Sequence, residues 1–277
     1  MLEYLSSCFL RQYYLTFDHP FKQRIWKTIY QYLNNPRIVF PYSSHHRLAL
    51  DPNDLVDRTI IESGSYEKEV YDSLMAYVLP GDVVWDIGAH IGSFSVLAES
   101  NPLVKAVYCF EPCSKTFSAL EKNNHLNGNR LILKHYGLGI QEGILTSFER
   151  YQANTGGNIL IPMNSEKGEK VSVSTIDNQI FHQRLDAPQL IKIDVEGMEL
   201  DVLKGGIKTL RQFPARAIAF EARPRLNGEL ANDELSSFLK ELNYEVRHIP
   251  RPSGIIDEVE NFLAVHHHFR HKIPARL

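Results

Sequence analysis

Short apolar runs closed by an acid or a glycine recur along the middle of the chain and alternate with stretches of helical spacing. Val83-Val84-Trp85 leads into Asp86-Ile87-Gly88-Ala89-His90-Ile91-Gly92, and Phe94 onward suits a helix, which reads as strand, glycine loop, helix. Ala106 to Phe110, closed by Glu111, repeats the run, and Ser114 to Asn127 follows with Phe117, Leu120 and Leu126 on one face. Leu131-Ile132-Leu133 starts a third strand, expected to end near Gly137-Leu138-Gly139. Leu190 to Asp194 makes a fourth, followed by a helix that turns Met198, Val202, Leu203, Ile207 and Leu210 inward, and Arg216 to Glu221 makes a fifth. A helix over Asp233 to Leu242 and strands over Tyr244 to Ile249 and Asn261 to Val265 close the series. Strands alternating with helices predict an α/β chain around a mostly parallel sheet.

Two stretches depart from that rhythm. Ile144 to Tyr151 and Val171 to Ile176 alternate as antiparallel strands, with Asn154-Thr155-Gly156-Gly157-Asn158 expected as a mobile loop between them and acceptor contacts nearby. Met1 to Pro36 interleaves aromatic residues such as Tyr13, Trp26 and Tyr30 with Arg11, Lys22, Arg24 and Lys27, helical on either side of Asp18-His19-Pro20. Arg37 to Arg58 reads as extended segments and turns, and Ser65 as the N-cap of a helix that buries Val70, Leu74 and Val78 before Pro80-Gly81. The chain divides on this reading into a helical and extended arm, 1–58, and a catalytic domain, 59–277. The arm is expected to pack on that domain or on a second subunit, as in a homodimer. A membrane-surface helix would carry the same amphipathic signs and is the less favoured reading.

The glycine loop carries chemistry. Its spacing, Asp86-x-Gly88-x-x-x-Gly92, fits neither G-x-G-x-x-G nor the P-loop, and no lysine follows the second glycine. A carboxylate at the strand end repels pyrophosphate and suits an ammonium or sulfonium ligand, which points to S-adenosylmethionine. Glu111, at the end of the next strand, can accept hydrogen bonds from a ribose diol.

These motifs, with Phe110-Glu111-Pro112 and with Ile191-Lys192-Ile193-Asp194-Val195-Glu196-Gly197-Met198-Glu199, resemble the FkbM-like family of S-adenosylmethionine-dependent methyltransferases, from about Gly64 to Glu221. The resemblance implies a Rossmann-like class I methyltransferase fold, with a mostly parallel seven-stranded sheet and helices on both faces, plus the N-terminal extension. It implies donor contacts from Asp86, Gly88, Ala89, His90, Gly92, Glu111 and Pro112, with Gly137 and Leu138 near the adenine. The segment at Tyr66 and Glu67 would close over the donor. His90 stands where the family usually has asparagine. Asp194, then Glu196, is the candidate base or donor-holding carboxylate; the same pair could instead cap the following helix. The implied reaction is O-methylation of a hydroxyl on a sugar, glycan or secondary metabolite. A donor-binding scaffold without catalysis, or a nicotinamide-dependent oxidoreductase, is the alternative.

Composition narrows the partners. Thirty basic and 33 acidic residues leave no basic excess for nucleic acid. Cys8, Cys109 and Cys113 lack metal-ligand spacing and read as reduced thiols of a cytoplasmic protein. No metal site is expected, since adjacent His45 and His46 do not converge on one ion and the His266-His267-His268 and His271 tail reads as a solvated end. No apolar run is long enough for a spanning helix, and Met1 onward lacks the order of a signal peptide.

Overall fold

The computed structural model describes residues 12–13, 20–32, 37–43, 45–151, 154–162, 168–225, 227–251 and 258–269. Helix α1 (Lys22–Tyr32) precedes an antiparallel pair, β1 (Ile38–Pro41) and β2 (Arg47–Leu50), then helices α2 (Leu55–Ser63) and α3 (Lys68–Met75). Strands and helices alternate through β3 (Asp82–Ile87), α4 (Ser93–Glu99), β4 (Val104–Phe110), α5 (Ser114–Leu126) and β5 (Ile132–Lys134). A separate group, β6 (Gly137–Leu138), β7 (Gly143–Tyr151), β8 (Asn154–Pro162) and β9 (Glu169–Ser174), leads into α6 (Ile176–Phe181). Beyond it lie β10 (Leu190–Ile193), α7 (Glu199–Lys204), α8 (Ile207–Gln212), β11 (Ala217–Ala222), α9 (Asp233–Glu241), β12 (Tyr244–Ile249) and β13 (Glu260–His266).

The main sheet has seven strands in the order β12-β13-β11-β10-β3-β4-β5, and β13 alone runs against the rest. Because side chains alternate across a strand, each strand feeds two cores. Val83, Trp85, Ile87, Ile191, Ile193, Ile218 and Phe220 enter one, with Val202, Leu203 and Leu210. Val84, Val107, Leu190, Ala217 and Ala219 enter the other, which is completed by Tyr30, Phe40, Leu48, Ile60, Val70 and Leu74. The N-terminal elements are therefore one wall of the core. The same alternation assigns Asp86 to Val84's face and Lys192 to Leu190's, and the β3–β10 register sets the two residues side by side.

The strand order reverses between β3 and β10. In open α/β sheets the crevice at the carboxyl ends of such strands is where ligands bind. The second sheet, β6-β9-β7-β8, lies beyond β5 in the chain and brings Leu160 back to that crevice.

Several local expectations change. Ser65 caps nothing, and α3 starts after Glu67, with Ser63 ending α2. The stretch expected as extended ends in that α2 helix, whose N-cap Asp54 accepts from the Val56 and Asp57 amides, and the 58/59 boundary falls inside it. Asn154 to Asn158 is not a loop: it belongs to β8, where Asn154 and Asn158 pair with Tyr151 and Glu149 of β7 and the glycines fall at the register shift between them. The third strand stops at Lys134, and Gly137–Leu138 instead pairs with Val173 and Ser174. Strand β9 ends at Ser174 because Thr175 caps α6, accepting from the Asn178 amide. The helix expected after the fourth strand is two short ones parted at Gly205 and Gly206. His266 is buried edge-on against Tyr244 rather than solvated. Expectations for residues 1–11, 14–19 and 33–36 of the arm, including Cys8, and for His271 lie outside the described residues.

Candidate active site

A cavity of about 290 Å³ occupies the crevice between the ends of β3 and β10. Its base is the glycine loop, Gly88, Ala89 and His90, with Ser93 and Phe94 at the start of α4. One side is Glu111, Pro112 and Cys113 after β4, joined by Gly137, Leu138 and Leu160. The opposite side is Lys192, Asp194, Val195, Glu196 and Met198, with Glu221 from β11. Leu55, Val56 and Thr59 of α2, with Tyr66, Glu67 and Tyr71, complete the wall from the N-terminal side.

Gly88 is needed for two reasons. Its φ is +83°, and a Cβ there would lie 1.8 Å from the carbonyl oxygen of Asp194, so the β3 and β10 ends can approach only if it is bare. His90, also left-handed at φ 51°, donates its amide to Glu111 Oε2 at 2.9 Å. Glu111 Oε1 accepts from the Cys113 amide at 3.0 Å and the Thr116 hydroxyl at 2.7 Å. Burial raises the Glu111 carboxyl above its usual range, and these three donors pull it back.

Lys192 is the hub of the other side. Its side chain is only 8% exposed, and Nζ lies 2.8 Å from Asp194, 3.9 Å from Asp86 and 4.0 Å from Glu67. Burial works to lower its pKa, yet the three carboxylates together hold it above the ordinary lysine value. Glu67 is raised to about 7, chiefly by burial, with Lys192 and a hydrogen bond from Asn261 acting against the rise. Glu221 is raised to about 9 by burial and then by Asp194, Glu67 and Glu196. His90 is lowered to about 4 by burial, so its ring stays neutral. Among the described residues no group of three His, Cys, Asp or Glu is arranged to hold a metal ion, and no helix is long and apolar enough to cross a membrane.

Residues 86–246 match the Methyltransferase FkbM domain. The chain belongs to the FkbM methyltransferase family. It is similar to the hexuronic acid methyltransferase AglP of Haloferax volcanii, 29% identical over 145 residues that cover 52% of this chain and 58% of AglP. It is also similar to the antimetabolite synthetase AmbE of Pseudomonas aeruginosa, 26% identical over 73% of this chain but only 11% of that protein. The chain thus aligns with about half of the first relative and a small part of the second. Among solved structures, the methyltransferase FkbM from Methylobacillus flagellatus KT is 17% identical with a TM-score of 0.48, covering 89% of this chain and 60% of that one.

The seven-stranded sheet of this FkbM-family chain is the Rossmann-like arrangement that the resemblance implied. Of the residues singled out from the sequence, Glu67, Gly88, Ala89, His90, Glu111, Pro112, Gly137, Leu138, Asp194 and Glu196 converge on the cavity. Two do not line it. Asp86 is fully buried one layer below, because β3 continues through Ile87; its Oδ2 accepts from Ser95 at 2.5 Å, and Lys192 stands between it and the space above. Gly92 turns the chain into α4 at φ +84°, packed under Leu120. Glu111 is not a solvated strand end: it is buried with three hydrogen-bond donors. Lys192, inside an apolar run, is paired with Asp194. Sequence reading missed Leu55, Val56, Thr59 and Leu160, whose segments carry no motif; only the amphipathic turn after Asp54 could have drawn notice to α2.

Proposed function

We propose that the chain is an S-adenosylmethionine-dependent O-methyltransferase acting on a hydroxyl of a sugar, glycan or secondary metabolite. The charge of the cavity carries this reading. Glu67, Glu111, Asp194, Glu196 and Glu221 line it, against Lys192 as the one lysine or arginine among the described lining residues, and with Glu221 protonated at neutral pH the other acids still outnumber the ammonium. A cavity of that sign favours a sulfonium nucleoside and disfavours the pyrophosphate of a nicotinamide cofactor.

The residues present fit such a donor. A carboxylate has roughly four lone-pair sites, and Glu111 uses three, leaving one for a ribose hydroxyl rather than the two that a chelated diol needs. Pro112, Gly137, Leu138 and Leu160 give the adjoining space an apolar lining suited to a purine. When bound, the donor supplies an electrophilic methyl group for in-line displacement. The chain's task is then orientation and proton removal, both worth orders of magnitude in rate. Asp194, held at 2.8 Å by Lys192, is suited to fix an acceptor hydroxyl, and Glu196 faces the same space. The similarity to AglP, named for a hexuronic acid, supports a sugar acceptor.

Calorimetry should detect binding of S-adenosylmethionine and none of NAD. Labelled donor should then pass its methyl to methyl glycosides of a neutral hexose or a hexuronate. Binding of NAD alone, or donor binding with no transfer to any hydroxyl compound, would refute the proposal.

A further inference from the structure

Resting on the methyl-transfer reading, we propose that Glu67 is the catalytic base, its carboxylate taking the proton of the acceptor hydroxyl. Three features of its placement point there. First, Glu67 occupies the N-cap position of α3, yet its side chain makes no capping hydrogen bond. The structural role that its position suggests is not performed, and the carboxylate turns into the cavity instead.

Second, Glu67 holds a left-handed backbone, φ 48° and ψ 42°. Histidine, asparagine and aspartate tolerate that region; glutamate gains nothing from it. Seven non-glycine residues among those described have positive φ, and three of them, Glu67, His90 and Glu196, line this one cavity. Strain concentrated at one site is a mark of a functional constraint.

Third, the cluster leaves Glu67 as the less committed base. Lys192 makes its hydrogen bond to Asp194 at 2.8 Å and stands 4.0 Å from Glu67, beyond hydrogen-bond distance. Asp194 is therefore neutralised by direct contact, whereas Glu67 is steadied by Asn261 from the neighbouring antiparallel strand. The groups that bear on its ionisation are Lys192 and Asp194 at the end of β10, Glu221 on β11, Glu69 on its own helix, and the phenols of Tyr66 and Tyr42. Their balance, with burial, leaves it near 7, where a general base is most effective at neutral pH.

The step balances without another reactant. The acceptor oxygen bonds to the methyl carbon, the sulfur–methyl bond breaks with its electron pair kept on sulfur as a neutral thioether, and the hydroxyl proton passes to Glu67. The ionised form is the active one, so the rate rises with pH as Glu67 loses its proton.

The test uses the full chain and its Glu67→Gln and Glu67→Asp variants, with methyl glycosides of a neutral hexose and a hexuronate as acceptors. With donor at saturation, Glu67→Gln should lower kcat about 100-fold or more and abolish the rise through about pH 7. Glu67→Asp should recover part of the rate and the pH limb. A readout without acceptor is proton release on donor binding near neutral pH, measured by calorimetry in buffers of different ionisation enthalpy. The sulfonium charge favours ionised Glu67, so wild type should release a fraction of a proton that Glu67→Gln does not. Unchanged kcat, an unchanged pH limb or equal proton release would overturn the assignment. A wild type that binds donor and methylates no glycoside would count against the O-methylation reading, and the proton-release comparison would still rule on Glu67.

Discussion

Replacing Lys192 by methionine keeps most of the buried stem and deletes the charge. Asp194, Asp86 and Glu67 all lie within 4.0 Å of that charge, and Lys192 is 8% exposed. Removing one member of a buried ion set costs about 3–5 kcal/mol, because the remaining charges are left without compensation. For a chain of ordinary stability, about 5–15 kcal/mol, that is a large share of the whole. The cost has a sign with pH. Burial already raises Asp86 and Glu67 above their unfolded values and Lys192 opposes the rise, so without the ammonium the folded variant binds more protons and loses stability as pH rises. Urea unfolding of wild type and Lys192→Met at about pH 5 and about pH 8 should therefore give a small difference at the lower pH and the full loss at the higher. A loss under about 1 kcal/mol at both, the value of an exposed pair, would refute the account of Lys192 as the electrostatic hub.

Two further substitutions probe the frame. Gly88→Ala puts a Cβ 1.8 Å from the Asp194 carbonyl at φ +83°, and should lower stability by at least about 2 kcal/mol in urea unfolding, with weaker S-adenosylmethionine binding by calorimetry. Wild-type stability and donor affinity in the variant would show that the two strand ends need not approach. For Glu221 the folded-state pKa, about 9, exceeds the ordinary glutamate value of 4.5, so its contribution is present below the unfolded value and is lost as pH rises through about 9. Glu221→Gln should flatten the pH dependence of the urea midpoint over that window, by on the order of a few kcal/mol at its upper end. Parallel profiles for the two proteins would contradict that.

What was legible in the chain was whatever has a local cause. Apolar runs at Val83–Trp85, Ala106–Phe110, Leu190–Ile193 and Arg216–Glu221 announce strands because period and β-propensity act within a few residues. Asp86 to Gly92 announces a ligand loop because its glycines favour tight turns and close approach of the backbone. An ammonium in an apolar run, as at Lys192, was readable only as paired or snorkelling, and the sequence does not choose between them. The misreadings share a different cause. The stretch around the glycine pair at 156–157 looks like a loop until Asn154 and Asn158 on either side pair with β7, and Gly137–Leu138 looks like the tail of one strand until it pairs with β9.

The sequence by itself determined the α/β alternation, the glycine loop and the supply of acids at successive strand ends, all of which follow from side-chain period and turn chemistry. Only the tertiary structure decided which acids face the cavity. Asp86 is below its floor because β3 runs two residues further than turn chemistry suggests, and the β3–β10 register then sets it beside Lys192. Glu67 reaches the same cluster because the N-terminal elements pack on that face of the sheet. Register and packing join residues far apart in the chain, and no short window of sequence contains both partners.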